Sequence, residues 1–158
     1  MSDCNGIIEV HNNCGLFEVE KSYLEIVMPC HITINESGEG SGDALVCEFE
    51  AAEAVNVNRV VAIDANGRIF HADKDNLDDA LDIVGVTKQS GAIGQLVEVV
   101  KFGKLGGASL ATPKDNFWLG NNGALVTSPP STGDWLFVGV QLANGEILIR
   151  IGEPTQRS

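Results

Sequence analysis

Arg59-Val60-Val61-Ala62-Ile63-Asp64, Ala65-Asn66-Gly67, Arg68-Ile69-Phe70-His71-Ala72 is the stretch whose reading decides the fold. Two β-branched runs flank an Asn-Gly pair, and Asn-Gly supplies the positive-φ residues that a tight hairpin turn needs. The logic recurs downstream. Phe117-Trp118-Leu119 leads through Gly120-Asn121-Asn122-Gly123 into Ala124-Leu125-Val126-Thr127, and strands over 135–142 and 146–151 meet at Asn144-Gly145. Ile83–Val86 and Gln95–Phe102 read as further strands around Ser90–Gly94, and Pro129-Pro130 with Gly133 breaks the chain. Regular short strands with turn signals predict an all-β fold, a small antiparallel β-barrel or sandwich. The strand–helix alternation of a parallel sheet is absent. One short helix is predicted from Lys74 to Leu81, with Asp73 or Asp75 as cap.

Toward the N-terminus, Ile7–Val10, Leu16–Val19 and Tyr23–Met28 read as strands, and Pro29 ends the last or places it at an edge. Ile32-Thr33-Ile34 alternates with period two, and Leu45–Phe49 resumes the strand pattern after the small, acidic linker Glu36–Asp43. Charge separates the same two regions. Residues 1–50 carry ten acidic side chains and one basic one, Lys21, whereas residues 51–158 carry twelve acidic and nine basic. The reading is an acidic N-terminal β region or arm over 1–50 and a β-barrel-like domain over 51–158.

The 158 residues carry a formal charge of −12 with 44% hydrophobic residues, enough for a real core. That charge disfavours phosphate backbones and anionic membrane surfaces, so neither nucleic acid nor membrane is expected as a partner. The start Met1-Ser2-Asp3-Cys4 lacks a basic segment followed by an apolar run, which implies synthesis in a cytoplasm. Free thiols are then the default for Cys4, Cys14, Cys30 and Cys47.

Chemistry-bearing patterns are weak throughout. Cys4, His11, Cys14, Cys30 and His31 lack the close Cys spacing of a zinc site and read as small hydrophobes and surface histidines. No nucleophile elbow accompanies His11, His31 or His71, and His71 reads as a surface residue of a return strand. Asp73-x-Asp75 opens a calcium-loop pattern that Leu77 interrupts, so Asp73, Asp75, Asp78, Asp79 and Asp82 read as a solvated helix face. Gly103-Lys104-Leu105-Gly106-Gly107 lacks phosphate-loop order and reads as a bulge or turn. No enzyme, catalytic residue, metal or cofactor is expected.

From about Ala54 to Pro154, the pieces follow in a set order: Arg59–Asp64 with Asn66-Gly67; Ile83–Val86; Gly94–Val100; Phe117–Gly120 with Gly123; Leu125–Pro130 with Gly133; then Val138-Gly139-Val140 and Ile149–Pro154. This order resembles that of bacteriophage capsid cement (head decoration) proteins, and related modules occur in phage tail and fibre proteins. The resemblance implies a β-barrel-like protein on the capsid surface of a virion, assembled in the host cytoplasm. Its partners would be the major capsid protein and further copies of itself, as a homodimer or homotrimer. The alternative it leaves open is a tail, baseplate or fibre component. Aromatics anchor interfaces, which makes Phe17 and Tyr23 the candidate contact residues, whereas Trp118 and Trp135 read as core.

Overall fold

The structure is a computed structural model that describes residues 30–33, 44–107 and 109–156. It is all-β: a curled antiparallel half-barrel with one short helix. The strands are β1 (Cys30–Thr33), β2 (Ala44–Glu50), β3 (Val60–Ile63), β4 (Ile69–His71), β5 (Ile83–Thr87), β6 (Leu96–Leu105), β7 (Asn116–Leu119), β8 (Leu125–Val126), β9 (Phe137–Gln141) and β10 (Ile147–Arg150). Helix α1 (Leu77–Leu81) crosses between β4 and β5, and a 3-10 turn over Asn121–Gly123 joins β7 to β8. The ladder runs β4-β3-β5-β6-β10-β9-β7-β8, and β2 joins it on β6 with β1 outside. The acidic stretch Ala44–Glu50 is thus woven into the same sheet as the residues that follow it, in register with β6 from Gly103 to Leu96.

β6 sets the layers. Val97 and Val99 pack with Ala51, Val55, Val61, Ile69 and Val84. Val100 and Leu105 join a larger cluster with Val46, Val60, Val86, Phe117, Leu119, Leu136, Val138, Ile147 and Ile149. Successive strand residues point to opposite faces, so Val99 and Val100 bury against different cores. Strict alternation would then send Leu105 to the wrong face. The pairing with β2 steps from Val46↔Val100 to Leu45↔Phe102 and leaves Lys101 unmatched, a β-bulge that restores the phase. β3 and β5 are two-sided in the same way: Val60 and Val86 face the larger core, Val61 and Val84 the smaller.

Close strand approach depends on two glycines. A Cβ on Gly85 would lie 2.3 Å from the Val100 carbonyl oxygen, and its φ of +152° disfavours side chains. A Cβ on Gly139 would lie 2.3 Å from the Leu148 carbonyl oxygen. Local polar chemistry fixes the turns. Asp64 Oδ1 accepts the backbone N–H groups of Asn66 and Arg68 at 2.8 and 2.9 Å, while Oδ2 meets the Arg68 guanidinium at 3.1 Å. The helix begins later than the sequence suggests. Its cap is Asn76, whose side chain accepts the Asp78 N–H, because Asp73 is spent inside the preceding turn, accepting the Asp75 N–H at 3.0 Å.

Gly85→Ala is expected to lower unfolding stability by about 2–4 kcal/mol, since backbone must move to admit the methyl; urea denaturation reads this, and a loss below about 0.5 kcal/mol contradicts it. The hairpin also makes a titration expectation. The Arg68 backbone N–H, ahead of the Asn66 N–H and the Arg68 side chain, holds the Asp64 carboxyl below the ordinary aspartate range. Burial, ahead of the neighbouring carboxylates, raises Asp79. Carbon-detected titration is expected to give Asp64 the lower midpoint of the two. Because its folded value is depressed, the Asp64 contribution is present above the unfolded value and is lost as pH falls through the folded one; the reverse order of midpoints contradicts the geometry.

Candidate interaction surface

The sheet's large core covers one face of β7, β9 and β10, and alternation hands the other face the remaining side chains. On β7, Phe117 and Leu119 are buried and Trp118 between them is half-buried. Before and within β9, Leu136 and Val138 enter the core while Trp135 and Phe137 are half-buried. Trp118 meets Phe137 edge-on at 5.7 Å and Trp135 at 6.2 Å and 60°, geometries that aromatic quadrupoles favour. Trp135 is pinned further by its indole N–H, which donates to the Pro130 carbonyl at 2.9 Å. Both tryptophans therefore depart from the core placement expected of them. Each neighbours core residues in sequence, and for that reason points the other way.

The same face continues across β9, β10 and β6. Directly opposed pairs share a face, which links Asn116↔Val140, Val140↔Leu148, Leu148↔Lys104, and separately Arg150↔Phe102 and Phe102↔Leu45. Phe102 is 55% exposed. Lys101 lies exposed at the bulge beside it, and Lys104 and Arg150 flank it on β6 and β10. The ion pairs among the described residues are Arg68–Asp64, His71–Glu53, Lys74–Asp75 and Lys88–Glu98. Lys101, Lys104 and Arg150 belong to none of them. In a chain of charge −12, three cations with no carboxylate partner among the described residues lie near one exposed aromatic residue in the strand register. This arrangement suits an acidic, partly apolar protein surface.

No protein-family model matches the chain, and no curated protein matches it.

Polar constellations elsewhere have local structural partners. His71 departs from the surface reading: its side chain is only 5% exposed. Nδ1 lies 2.9 Å from Glu53 Oε1, and Nε2 lies 3.2 Å from the Asn56 backbone N. A ring protonated on Nδ1 donates to the carboxylate and accepts from the amide, an assignment made from the network. Glu53 Oε1 also accepts the His71 backbone N–H, so the histidine clamps the 51–56 loop to β4. Lys74, largely buried, donates to Asp75 and to the Thr132 hydroxyl at 2.7 and 3.1 Å. Asp75 and Asp73 accept from the Asn121 side chain and the Asn122 backbone, tying the turn before α1 to the 3-10 turn. Two of the five aspartates read as a solvated face thus serve as cross-braces. Among the described residues, no group of His, Cys, Asp and Glu is arranged to hold a metal ion. No helix among them is long and apolar enough to cross a membrane.

Cys47 is disulfide-bonded and fully buried, contrary to the free thiol expected of it. β1 runs antiparallel to β2, which brings Cys30 to the register position opposite Cys47, a proximity no spacing rule anticipates. Phe17 and Tyr23 lie outside the described residues, as do Cys4, His11 and Cys14. Sequence reading missed Phe102, Lys104 and Arg150. The usable signal was Lys101-Phe102-Gly103-Lys104-Leu105, where charges bracket a lone aromatic.

His71→Leu is expected to cost about 1–3 kcal/mol, because the Asn56 N–H loses its acceptor in a partly buried site; an unchanged urea midpoint contradicts the clamp. Peptide mapping without reductant is expected to recover Cys47 in a cross-linked peptide, and recovery as an alkylated free thiol contradicts the bond.

Proposed function

We propose that this chain is a phage capsid cement protein, which binds the outer capsid surface and stabilises the shell by bridging major capsid subunits. The observation that carries the reading is the face around Phe102. An exposed aromatic, three cations with no carboxylate partner among the described residues and a bank of half-buried aromatics sit on one sheet. Burying a ring of that size contributes about 1.5–3 kcal/mol, and central aromatics with flanking cations make good anchors. The turn-and-strand order from Ala54 to Pro154 points to the same class of protein.

The mechanism follows from repetition. A single patch of this size binds weakly, but a lattice offers the same site many times. A protein that touches two or more capsid subunits, or that associates with its own copies as a homodimer or homotrimer, turns weak contacts into stable attachment. Rigidity matters because a stiff sheet loses little conformational entropy on docking. The acidic remainder of the surface keeps the free protein soluble and disfavours contact with nucleic acid.

Quantitative mass spectrometry of purified virions, joined to an icosahedral reconstruction, tests the reading. Hundreds of copies on the shell, scaling with the major capsid protein, are expected. A few copies at the tail move the assignment to a tail, baseplate or fibre component, and absence from the particle overturns both.

A further inference from the structure

Asn66-Gly67, Asn122-Gly123 and Asn144-Gly145 each occupy a turn of the described structure. Such pairs carry a latent reaction. The amide nitrogen after asparagine can attack the side-chain carbonyl carbon, because glycine puts no side chain in the way. A C–N bond forms to the glycine nitrogen and the bond to the carboxamide nitrogen breaks. Ammonia leaves, carrying by way of solvent the proton that the amide gave up. Water then opens the cyclic imide to aspartate or isoaspartate. The reaction needs a carboxamide free to turn, room for the backbone to follow, and no unbalanced negative charge beside the nitrogen as it loses its proton.

Asn122 lacks the room. Gly123 is buried, its N–H donates to the Ala72 carbonyl at 2.6 Å, and a Cβ on it would lie 2.5 Å from the Val60 carbonyl oxygen. Asn66 and Asn144 form a matched pair. In both turns the glycine N–H donates to the carbonyl three residues back, at 3.0 Å to Asp64 and 3.3 Å to Leu142, and the glycine sits at φ of +80° or +83°. The residue after the glycine separates them. After Gly145 comes Glu146, which is buried and belongs to none of the ion pairs among the described residues. Its carboxylate accepts from the Asn144 carboxamide nitrogen, and its backbone N–H donates to the Asn144 side-chain oxygen at 3.3 Å. Both ends of that carboxamide are held, and the charge beside it opposes ionisation of the amide. After Gly67 comes Arg68, whose guanidinium lies 3.1 Å from Asp64 Oδ2 and balances that carboxylate. The Asn66 carboxamide makes no hydrogen bond among the described residues. Asn66 and Gly67 are both exposed, and nothing lies within 4 Å of the place a Cβ on Gly67 would take.

We propose that Asn66 is a spontaneous deamidation site of the folded chain, converting through a cyclic imide on the Gly67 nitrogen, while the fold protects Asn122 and Asn144. The product adds a carboxylate beside Asp64 and, as isoaspartate, one carbon to the backbone of the β3–β4 turn. β4 ends the ladder, so the change falls on the edge hairpin that carries His71. The inference concerns the chain in any setting and stands apart from the virion reading. Asn5-Gly6 lies outside the described residues and outside this ranking.

Incubation of the full-length protein in mildly alkaline heavy-oxygen water, followed by peptide mapping, tests it. Asn66 is expected to take up label, as isoaspartate and aspartate, at least about tenfold faster than Asn122 or Asn144, the effect of about 1.4 kcal/mol in the cost of local opening. In urea the three sites are expected to converge, since each is then an open Asn-Gly pair. Glu146→Ala is expected to speed Asn144 while Asn122 stays slow, which shows that the fold is kept. Conversion of Asn122 or Asn144 as fast as Asn66, an inert Asn66, or a ranking that persists in urea overturns the proposal.

Discussion

The structure depends on β6 being buried on both faces. Val99 and Val100 are neighbours in sequence, yet each is nearly inaccessible and each belongs to a different apolar cluster. A strand covered on both sides must exclude water from both, which requires a layer above and a layer below. The larger core supplies one through β2, β7, β9 and β10, and the Ala51–Val55 stretch with β4 supplies the other. The Lys101 bulge then turns the end of β6 so that Leu105 rejoins the larger core while Phe102 turns outward. One unmatched residue therefore both completes the core and creates the exposed aromatic.

That coupling has a functional consequence. Phe102 sits one residue beyond the bulge, on the most constrained strand of the sheet, with Arg150 directly opposite on β10. An anchor on such a strand is held in place before any partner arrives. The polar braces act at the periphery. His71 with Glu53 fixes one loop, and Lys74 with Asp75 and Thr132 fixes another. They hold the connections of the sheet while its outer face stays open to a partner.

Much of the fold was legible because its turns declare themselves. Asn66-Gly67 and Asn144-Gly145 fix two hairpins, with Gly67 and Gly145 at φ of +80° and +83°, as tight antiparallel connections require. What stayed hidden depended on long-range pairing. Val97 to Phe102 reads as one continuous strand, and although charges bracket Phe102 in sequence, nothing local says that Lys101 is skipped by β2, which is what turns Phe102 outward. Trp118 and Trp135 look like core because tryptophan is usually buried, but their neighbours take the core positions. His71 looks exposed on a short return strand until the 51–56 loop folds across it. Cys47 looks free until β1 brings Cys30 alongside. In each case the deciding partner is distant in sequence, or the deciding fact is a phase shift.

The proposal that the rest of the reading turns on is that the Phe102 face docks on a capsid shell. The most direct measurement is the affinity of the purified chain for shells stripped of it, comparing wild type with the Lys104→Glu, Arg150→Glu double variant at matched thermal stability. Both charges are solvent-accessible, so the reversal leaves the fold intact. The account predicts at least a tenfold loss of affinity, about 1.4 kcal/mol, larger at low salt than at high salt. Unchanged binding by a folded double variant would contradict it.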